Sequence, residues 1–143
     1  MTRNPAAAIA INARRSSTIR GVWCPRSFHH VASVLIACYA GRSDFVPRKI
    51  IREFWTRDTT VPGSTWALGW DTPSAENSSS GRRFSPGAVG HLGFTGTSIW
   101  IEPEREIAIS MLTNRVHPRR DNQKIRDFRP KIHDLIMDAL DGG

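Results

Sequence analysis

Apolar positions in the first half of the chain repeat with helical spacing. Five of them fall near the i, i+3, i+4, i+7 pattern of one buried helix face: Phe28, Val31, Val34, Leu35 and Cys38. Gly41 is a typical helix stop, and Pro47 suits the first turn of a second, shorter helix. That second helix has an apolar stripe of Ile50, Ile51, Phe54 and Trp55. We therefore predict two helices between residue 28 and about residue 57.

In the second half, short runs alternate apolar and polar positions as β-strands do. Residues 65–70 predict one strand, and residues 71–86, rich in Ser, Pro, Gly and Asn, predict a surface loop. Residues 98–102 and 106–114 predict two antiparallel strands around a turn at 103–105. We expect one face of this hairpin to carry Ile99, Ile101, Ile107, Ile109 and Met111, and the other Trp100, Ala108 and Leu112.

A last helix is expected after Pro130, with its apolar face formed by Ile132, Leu135, Ile136 and Ala139. His133 is then a helix-surface residue and His117 a loop residue, while the core is expected to include Trp66, Trp70 and Trp100. This order of elements predicts an α+β fold class, in which helices flank an antiparallel sheet.

The charge of the 143-residue chain is uneven. Its formal net charge is +7, yet no acidic residue precedes Asp44, whereas six arginines do: Arg3, Arg14, Arg15, Arg20, Arg26 and Arg42. Residues 1–27 show no clear period, so we predict a basic, disordered segment separate from a domain at 28–143. The first residues make a weak signal peptide, and no apolar run is long enough to span a membrane.

Cysteine and histidine usage indicates no metal site. Cys24, His29, His30 and Cys38 lack the short Cys-x2-4-Cys and His-x3-5-His pairs of structural zinc sites. We therefore expect neither a metal nor another cofactor.

Residues 90–96, with the sequence GHLGFTG, pose the functional question. Glycines in a strand can mark only a bulge or a tight contact. The neighbouring segments favour a second interpretation, since TWALGWDTPS precedes the motif and LTNRVHP ends the last strand. Together, over about residues 45–140, they resemble the C-terminal part of serine hydrolases of the β-lactamase and penicillin-binding-protein type. The resemblance implies the corresponding portion of a β-lactamase/transpeptidase-like fold.

That resemblance also implies a role for each residue of the motif. His91 stands where the family has a lysine, or a histidine in esterase-like relatives, that donates to the substrate or the catalytic network. Gly93 leaves room for substrate backbone, and the Phe94 N–H would donate to the developing oxyanion. Thr95 would border the substrate. Leu92 replaces the usual threonine, so an ester or amide is a better expectation than penicillin.

The family's nucleophile has no counterpart in the 143 residues. Ser-x-x-Lys does not occur, and Ser17 is followed at the third position by Arg20, which stays protonated. The second family element, Tyr-x-Asn or Ser-x-Asn, is also absent, because Tyr39 precedes Ala40 and Gly41. The first hypothesis is therefore a truncated, inactive C-terminal part of a serine hydrolase that acts on small esters or amides.

Two alternatives remain open. A separate chain carrying Ser-x-x-Lys could complement this one at an exposed sheet edge. Alternatively, the chain is a non-catalytic interaction module whose basic arm binds a partner or nucleic acid. Nucleic acid is the less favoured ligand, because aromatic residues are not interleaved with the basic ones. Full-length relatives commonly work outside the cytoplasm, but the sequence predicts no compartment.

Overall fold

A computed structural model of the chain describes residues 8–12 and 25–142. Within these residues, three helices accompany one four-stranded sheet whose strand order is β1-β4-β3-β2. The elements in chain order are β1 (Ala8–Asn12), α1 (Pro25–Tyr39), α2 (Arg48–Phe54), β2 (Val89–Leu92), β3 (Ser98–Glu102), β4 (Ile107–Leu112) and α3 (Ile125–Asp141). Strands β2, β3 and β4 are antiparallel, which confirms the predicted α+β class.

The first strand was not predicted. Residues 8–12 pair in parallel with β4, so the expectation of no regular structure before residue 28 is wrong for these five residues. Helix α1 also begins at Pro25, three residues before the predicted domain boundary. The rest of the basic segment, including Cys24, lies outside the described residues. The boundary between residues 27 and 28 therefore stays a prediction.

Helix α1 ends where the sequence indicated. Gly41 adopts a φ of +75°, which an L side chain tolerates poorly. Its N–H donates to the Cys38 carbonyl at 3.1 Å, and the Arg42 N–H donates to the Ala37 carbonyl at 2.8 Å. These two bonds form a Schellman motif and satisfy carbonyls that the helix leaves open. Helix α2 begins at Arg48, one residue after the predicted start, and Pro47 is its N-cap.

The two faces of the β3–β4 hairpin are arranged differently from the prediction. Ile101 pairs with Ala108 and Trp100 pairs with Ile109. Directly paired residues share a face, so this register places Ile99 and Ile101 against α1, and Ile107 and Ile109 on the opposite face beside Trp100. The prediction is wrong because sequence alternation fixes the faces of each strand separately, whereas the register relates the two strands.

Residues 65–70 do not form a regular strand. The Ala67 N–H donates to the Trp70 carbonyl at 2.8 Å, which closes a tight turn, and only isolated bridges join Trp66 to Asp71 and Asp71 to Gly90. The Trp66 side chain is 55% exposed, so its expected place in the core is also wrong. Trp100 is fully buried, as predicted.

The segment at 71–86 contains no helix or strand, as expected, but it is not simply a surface loop. Thr72, Ser80 and Phe84 are buried. The buried Glu102 carboxylate accepts hydrogen bonds from the N–H and the hydroxyl of Ser85, both at 2.7 Å. These contacts fasten the loop to the sheet directly before β2.

Helix α3 differs from its prediction in both its start and its buried face. It begins at Ile125 and contains Pro130, rather than starting after it. Its buried stripe repeats every four residues: Ile125, Arg129, His133 and Met137. Leu135 is instead 64% exposed and Ala139 is exposed. The apolar pattern missed this face because two of its four members are ionisable.

His133, expected on the helix surface, has no exposed area. Its Nδ1 lies 3.1 Å from the Ser79 carbonyl, which can only accept, so Nδ1 carries the proton. Burial is the main reason that the pKa of His133 falls to about 4. A charged imidazole is therefore excluded from the fold near neutral pH.

We first predict that replacing Gly90 by alanine destabilises the sheet. A Cβ at this position would lie 2.5 and 2.7 Å from two ring carbons of the buried Trp100. The free energy of unfolding should fall by about 1–3 kcal/mol, as overpacking does in a close-packed core. Urea unfolding followed by tryptophan fluorescence measures the change. In the control Gly87→Ala, the new Cβ meets only the Ser85 hydroxyl at 3.6 Å. Equal stabilities of the two variants would contradict the packing argument.

A second prediction concerns acid stability. The unfolded chain binds a proton at His133 near the ordinary pKa of 6.5, whereas the folded chain does so only near pH 4. The resulting stabilisation is complete above pH 6.5 and is lost as the pH falls toward 4, by about 3 kcal/mol in total. His133→Asn keeps a donor for the Ser79 carbonyl but cannot titrate. Its unfolding free energy should vary less between pH 4.5 and 7 than that of the parent or of the exposed control His117→Asn. Parallel curves would refute the assignment.

Candidate functional site

The predicted motif lies on β2, at the edge of the sheet. Alternation along the strand separates its side chains. Val89 packs into the cluster that includes α1, so His91 shares that face, where it is exposed. Leu92 packs on the opposite face against the cluster around Trp100 and Met137. The structure thus does not bring the side chains of His91 and Leu92 together.

A tight turn directly follows the strand. The Gly96 N–H donates to the Gly93 carbonyl at 3.0 Å, and the Gly93 N–H donates to the Thr97 carbonyl at 2.8 Å. Gly96 has a φ of +95°, as expected for the glycine that closes a hairpin of this kind. Phe94 and Thr95 occupy the two central positions, and both are exposed. We refer to residues 93–97 as the hairpin turn.

The contact between Gly93 and Thr97 leaves no room for a side chain at position 93. A Cβ at this position would lie 3.3 Å from the Cβ of Thr97 and closer still to the Thr97 hydroxyl. The hairpin turn therefore requires a small residue here whether or not a substrate approaches. The structural and functional interpretations of this glycine are compatible.

The outer edge of β2 has one occupied and one open part. Gly90 exchanges two hydrogen bonds with Asp71, at 2.7 and 2.8 Å. Backbone N–H and C=O groups alternate between the two edges of an antiparallel strand. The backbone groups of Gly93 point inward, toward Thr97 on the other arm of the hairpin. The backbone groups of Leu92 and the N–H of Phe94 therefore point outward, away from β3. Within the described residues, the Phe94 N–H has no acceptor. This edge can pair with an added extended segment.

Two arginines that the sequence analysis did not single out hold the carbonyls of the hairpin turn. Arg129 Nη2 lies 3.2 Å from the Gly93 carbonyl oxygen and 3.1 Å from that of Thr97. Arg115 Nε donates to the Phe94 carbonyl at 2.7 Å, and the Arg115 backbone N–H donates to the Thr95 carbonyl at 2.8 Å. Arg115 lies within the LTNRVHP segment, so the family resemblance could have identified it as a site residue. Nothing in the sequence identifies Arg129 in this way, because an arginine on a helix is ordinarily exposed to solvent.

The Phe94 side chain is also held. The guanidinium carbon of Arg115 lies 4.7 Å from the centre of its ring, within the range of a cation–π contact. The ring nevertheless remains largely exposed. Arg115 and Arg129 therefore hold the carbonyl groups of the hairpin turn. The outward-pointing N–H of Phe94 has no acceptor among the described residues.

The described residues contain no group of three or more His, Cys, Asp or Glu side chains that could hold a metal ion. Of the four cysteines and histidines whose spacing the sequence analysis weighed against a zinc site, Cys24 lies outside those residues. Among the described helices, none combines the length and apolar character needed to cross a membrane.

Comparison with known proteins identifies the fold to which this edge belongs. The beta-lactamase family model matches residues 43–133, which is most of the chain. The chain belongs to the beta-lactamase family. The match confirms the resemblance drawn over about residues 45–140, and the motif on β2 lies inside it.

A crystal structure of a beta-lactamase from Mycobacterium bovis has the same fold, with a TM-score of 0.64 at 21% sequence identity. The alignment covers 80% of this chain and 43% of that protein. This member of the beta-lactamase family therefore spans less than half the length of that protein. A comparison with curated proteins found no match.

A third prediction tests the bracing of the hairpin turn. Arg129→Met keeps most of the buried volume but removes the donor to the Gly93 and Thr97 carbonyls. Losing such a bond should increase turn opening about tenfold. Hydrogen exchange at the Gly93 and Gly96 amides, measured relative to amides of β3 and β4, reports that opening.

The matched control is Arg126→Met, because Arg126 is exposed on the same helix and has no hydrogen bond to the turn. Its exchange should equal that of the parent chain. Equal exchange in both variants would show that Arg129 does not hold the turn.

Proposed function

We propose that this chain supplies the substrate- and oxyanion-binding wall of a serine hydrolase that cleaves a small ester or amide through an acyl-enzyme. The attacking serine and its lysine would come from residues outside this sequence, because Ser-x-x-Lys does not occur within it. The observation that carries the proposal is the open edge at Leu92 and Phe94, with an N–H that has no acceptor among the described residues.

The Phe94 N–H meets the physical requirements of an oxyanion donor. It belongs to a turn whose carbonyls are already engaged, so it needs little reorganisation when charge develops. A substrate carbonyl placed at this edge would direct its oxygen toward that N–H. Attack by a serine hydroxyl would then create a tetrahedral oxyanion, and the N–H of that serine would be the second donor.

The remaining steps follow from the same geometry. Collapse of the intermediate expels the alcohol or amine with a proton and leaves an acyl-enzyme, which water hydrolyses to the carboxylic acid. The exposed imidazole of His91 would donate to the substrate or to the catalytic network. Gly93 and Thr95 would border the substrate backbone. Leu92 presents no hydroxyl and packs inward, so it would contribute only its backbone groups.

Apolar exposure supports a missing covering segment. Several large apolar side chains of residues 45–68 face solvent, with Phe45 79% exposed and Val61 61% exposed. Others on the same stretch are Ile50, Phe54, Trp66 and Leu68. A folded protein gains by covering such surface. We propose that the segment bearing Ser-x-x-Lys covers it, whether in the same polypeptide or in a complementing chain.

A fourth prediction separates the Phe94 N–H from its side chain. Phe94→Pro removes the donor, and proline is favoured at this first central position of a type I or type II turn. In an assembly with a family segment that carries Ser-x-x-Lys, fused or co-expressed, kcat/KM for a nitrophenyl ester should fall about 10²–10³-fold. Phe94→Ala keeps the N–H and should change kcat/KM by only a few-fold.

Equal losses in the proline and alanine variants would rule out the N–H as the oxyanion donor. The 143-residue chain alone serves as the baseline, and a serine-reactive fluorophosphonate should not label it. Labelling at a single serine of that chain would instead place the nucleophile within these residues and overturn the proposal.

A further inference from the structure

Helix α3 carries a second apolar stripe on its outer flank, in addition to the stripe that is buried. We call it the outer stripe, and it consists of Phe128, Ile132, Leu135 and Ala139. Phe128 is 45% exposed and Leu135 is 64% exposed, Ala139 is exposed and Ile132 is half-buried. The buried side chains of the helix stand instead at positions 125, 129, 133 and 137. Much of the outer stripe therefore faces solvent.

The spacing of the outer stripe is that of a contact between two helices. Its successive members are four, three and four residues apart. This alternation keeps apolar side chains on one line along a helix, where they interlock with those of a second helix. Isolated apolar side chains on a surface need no explanation, but a regular row of four indicates a surface that a partner helix covers.

The charges beside the outer stripe complement themselves. Lys131 and Asp138 are exposed and lie seven residues apart, so both flank the stripe on the same side. When two copies of α3 lie antiparallel, with a two-fold axis between residues 133 and 134, Lys131 of each copy lies beside Asp138 of the other. The ion pair between Asp138 and Arg83 runs through Oδ1 at 2.7 Å, so the other carboxylate oxygen can accept this bond. A parallel pair would instead place Lys131 beside the apolar Ile136 of the second copy.

The sizes of the stripe residues favour the same orientation. In the antiparallel pair, the large Phe128 faces the small Ala139 of the second copy, and Ile132 faces Leu135 of the second copy. Large residues opposite small ones fill an interface evenly. A parallel pair would oppose Phe128 to Phe128 at one end and Ala139 to Ala139 at the other. The outer stripe is therefore self-complementary in shape as well as in charge.

We propose that α3 pairs antiparallel with α3 of a second copy of this chain along the outer stripe. The contact is small, because four stripe residues per copy compare with the roughly 20–30 residues on each side of a stable interface. We therefore expect a weak, reversible dimer with a Kd of about 10–100 µM. The inference does not rest on the proposed hydrolase function, because it needs neither the Phe94 N–H nor a nucleophile.

The test uses the whole 143-residue chain, whose sedimentation in the analytical ultracentrifuge is measured over a concentration range that spans the expected Kd. Leu135→Gln should raise Kd at least about tenfold, because each dimer loses two apolar side chains from its centre. The exposure of Leu135 means that this variant keeps the fold, which circular dichroism checks. The matched control is Leu68→Gln, which removes an equally large side chain that is 49% exposed and lies outside α3. It should leave Kd unchanged.

A charge exchange tests the orientation of the pair. Lys131→Glu places like charges beside Asp138 of the second copy, twice in each dimer, and should raise Kd about tenfold. The double variant Lys131→Glu/Asp138→Lys restores opposite charges and should return Kd to within about threefold of the parent value. Its loss of the Arg83 ion pair has little effect on the fold, because that pair is exposed.

Three results would overturn the proposal. The first is a parent chain that remains monomeric at every concentration. The second is equal weakening by Leu135→Gln and Leu68→Gln, which would show only general association of apolar surfaces. The third is a double variant that dimerises as weakly as Lys131→Glu, which would exclude the antiparallel pair.

Discussion

The packing of Trp100 over Gly90 is the contact on which the edge strand β2 and the hairpin turn after it depend. The fully buried indole occupies the space where any side chain at position 90 would stand. The absence of a side chain at Gly90 lets the indole lie across β2 on this face of the sheet, and the register places Gly90 opposite Trp100. That register fixes which face His91 occupies and where the strand ends. The position of the hairpin turn follows from it.

Polar side chains of α3 hold two segments that have no regular secondary structure, the loop before β2 and the hairpin turn after it. Asp134 accepts hydrogen bonds from the N–H groups of Arg82 and Arg83, at 2.6 and 3.1 Å. His133 bonds to Ser79, and Arg129 bonds to the hairpin turn. One helix thus fastens both the long loop before β2 and the turn after it. Such bonds are directional, so they define positions that apolar burial alone would leave adjustable.

The sequence predicted what local chemistry determines. Gly41 and Pro47 marked helix ends, alternation marked β3 and β4, and the motif segments resembled those of the family to which the chain belongs. Predictions from the sequence were wrong where the structure depends on contacts between residues far apart in the chain. Nothing in the local sequence shows that residues 65–70 form a tight turn that leaves Trp66 exposed. Nor does it show that Ile107 shares a face with Trp100. The stripe of α3 was hidden because Arg129 and His133 are buried by their hydrogen bonds rather than by hydrophobicity.

The candidate site divides in the same way. His91, Gly93 and Phe94 could be named from the motif, yet their surroundings could not, because Arg115 and Arg129 reach the turn from 21 and 36 residues away along the chain. Their contacts give the turn an asymmetric set of backbone groups. Three of its carbonyls are held by arginine side chains on the inner side, while the Phe94 N–H points outward to the open edge. A donor fixed in this way has already lost its freedom before a ligand arrives, so little of the binding energy is spent on ordering it. The arginines therefore matter to any role of this edge, because they orient a group that they do not contact.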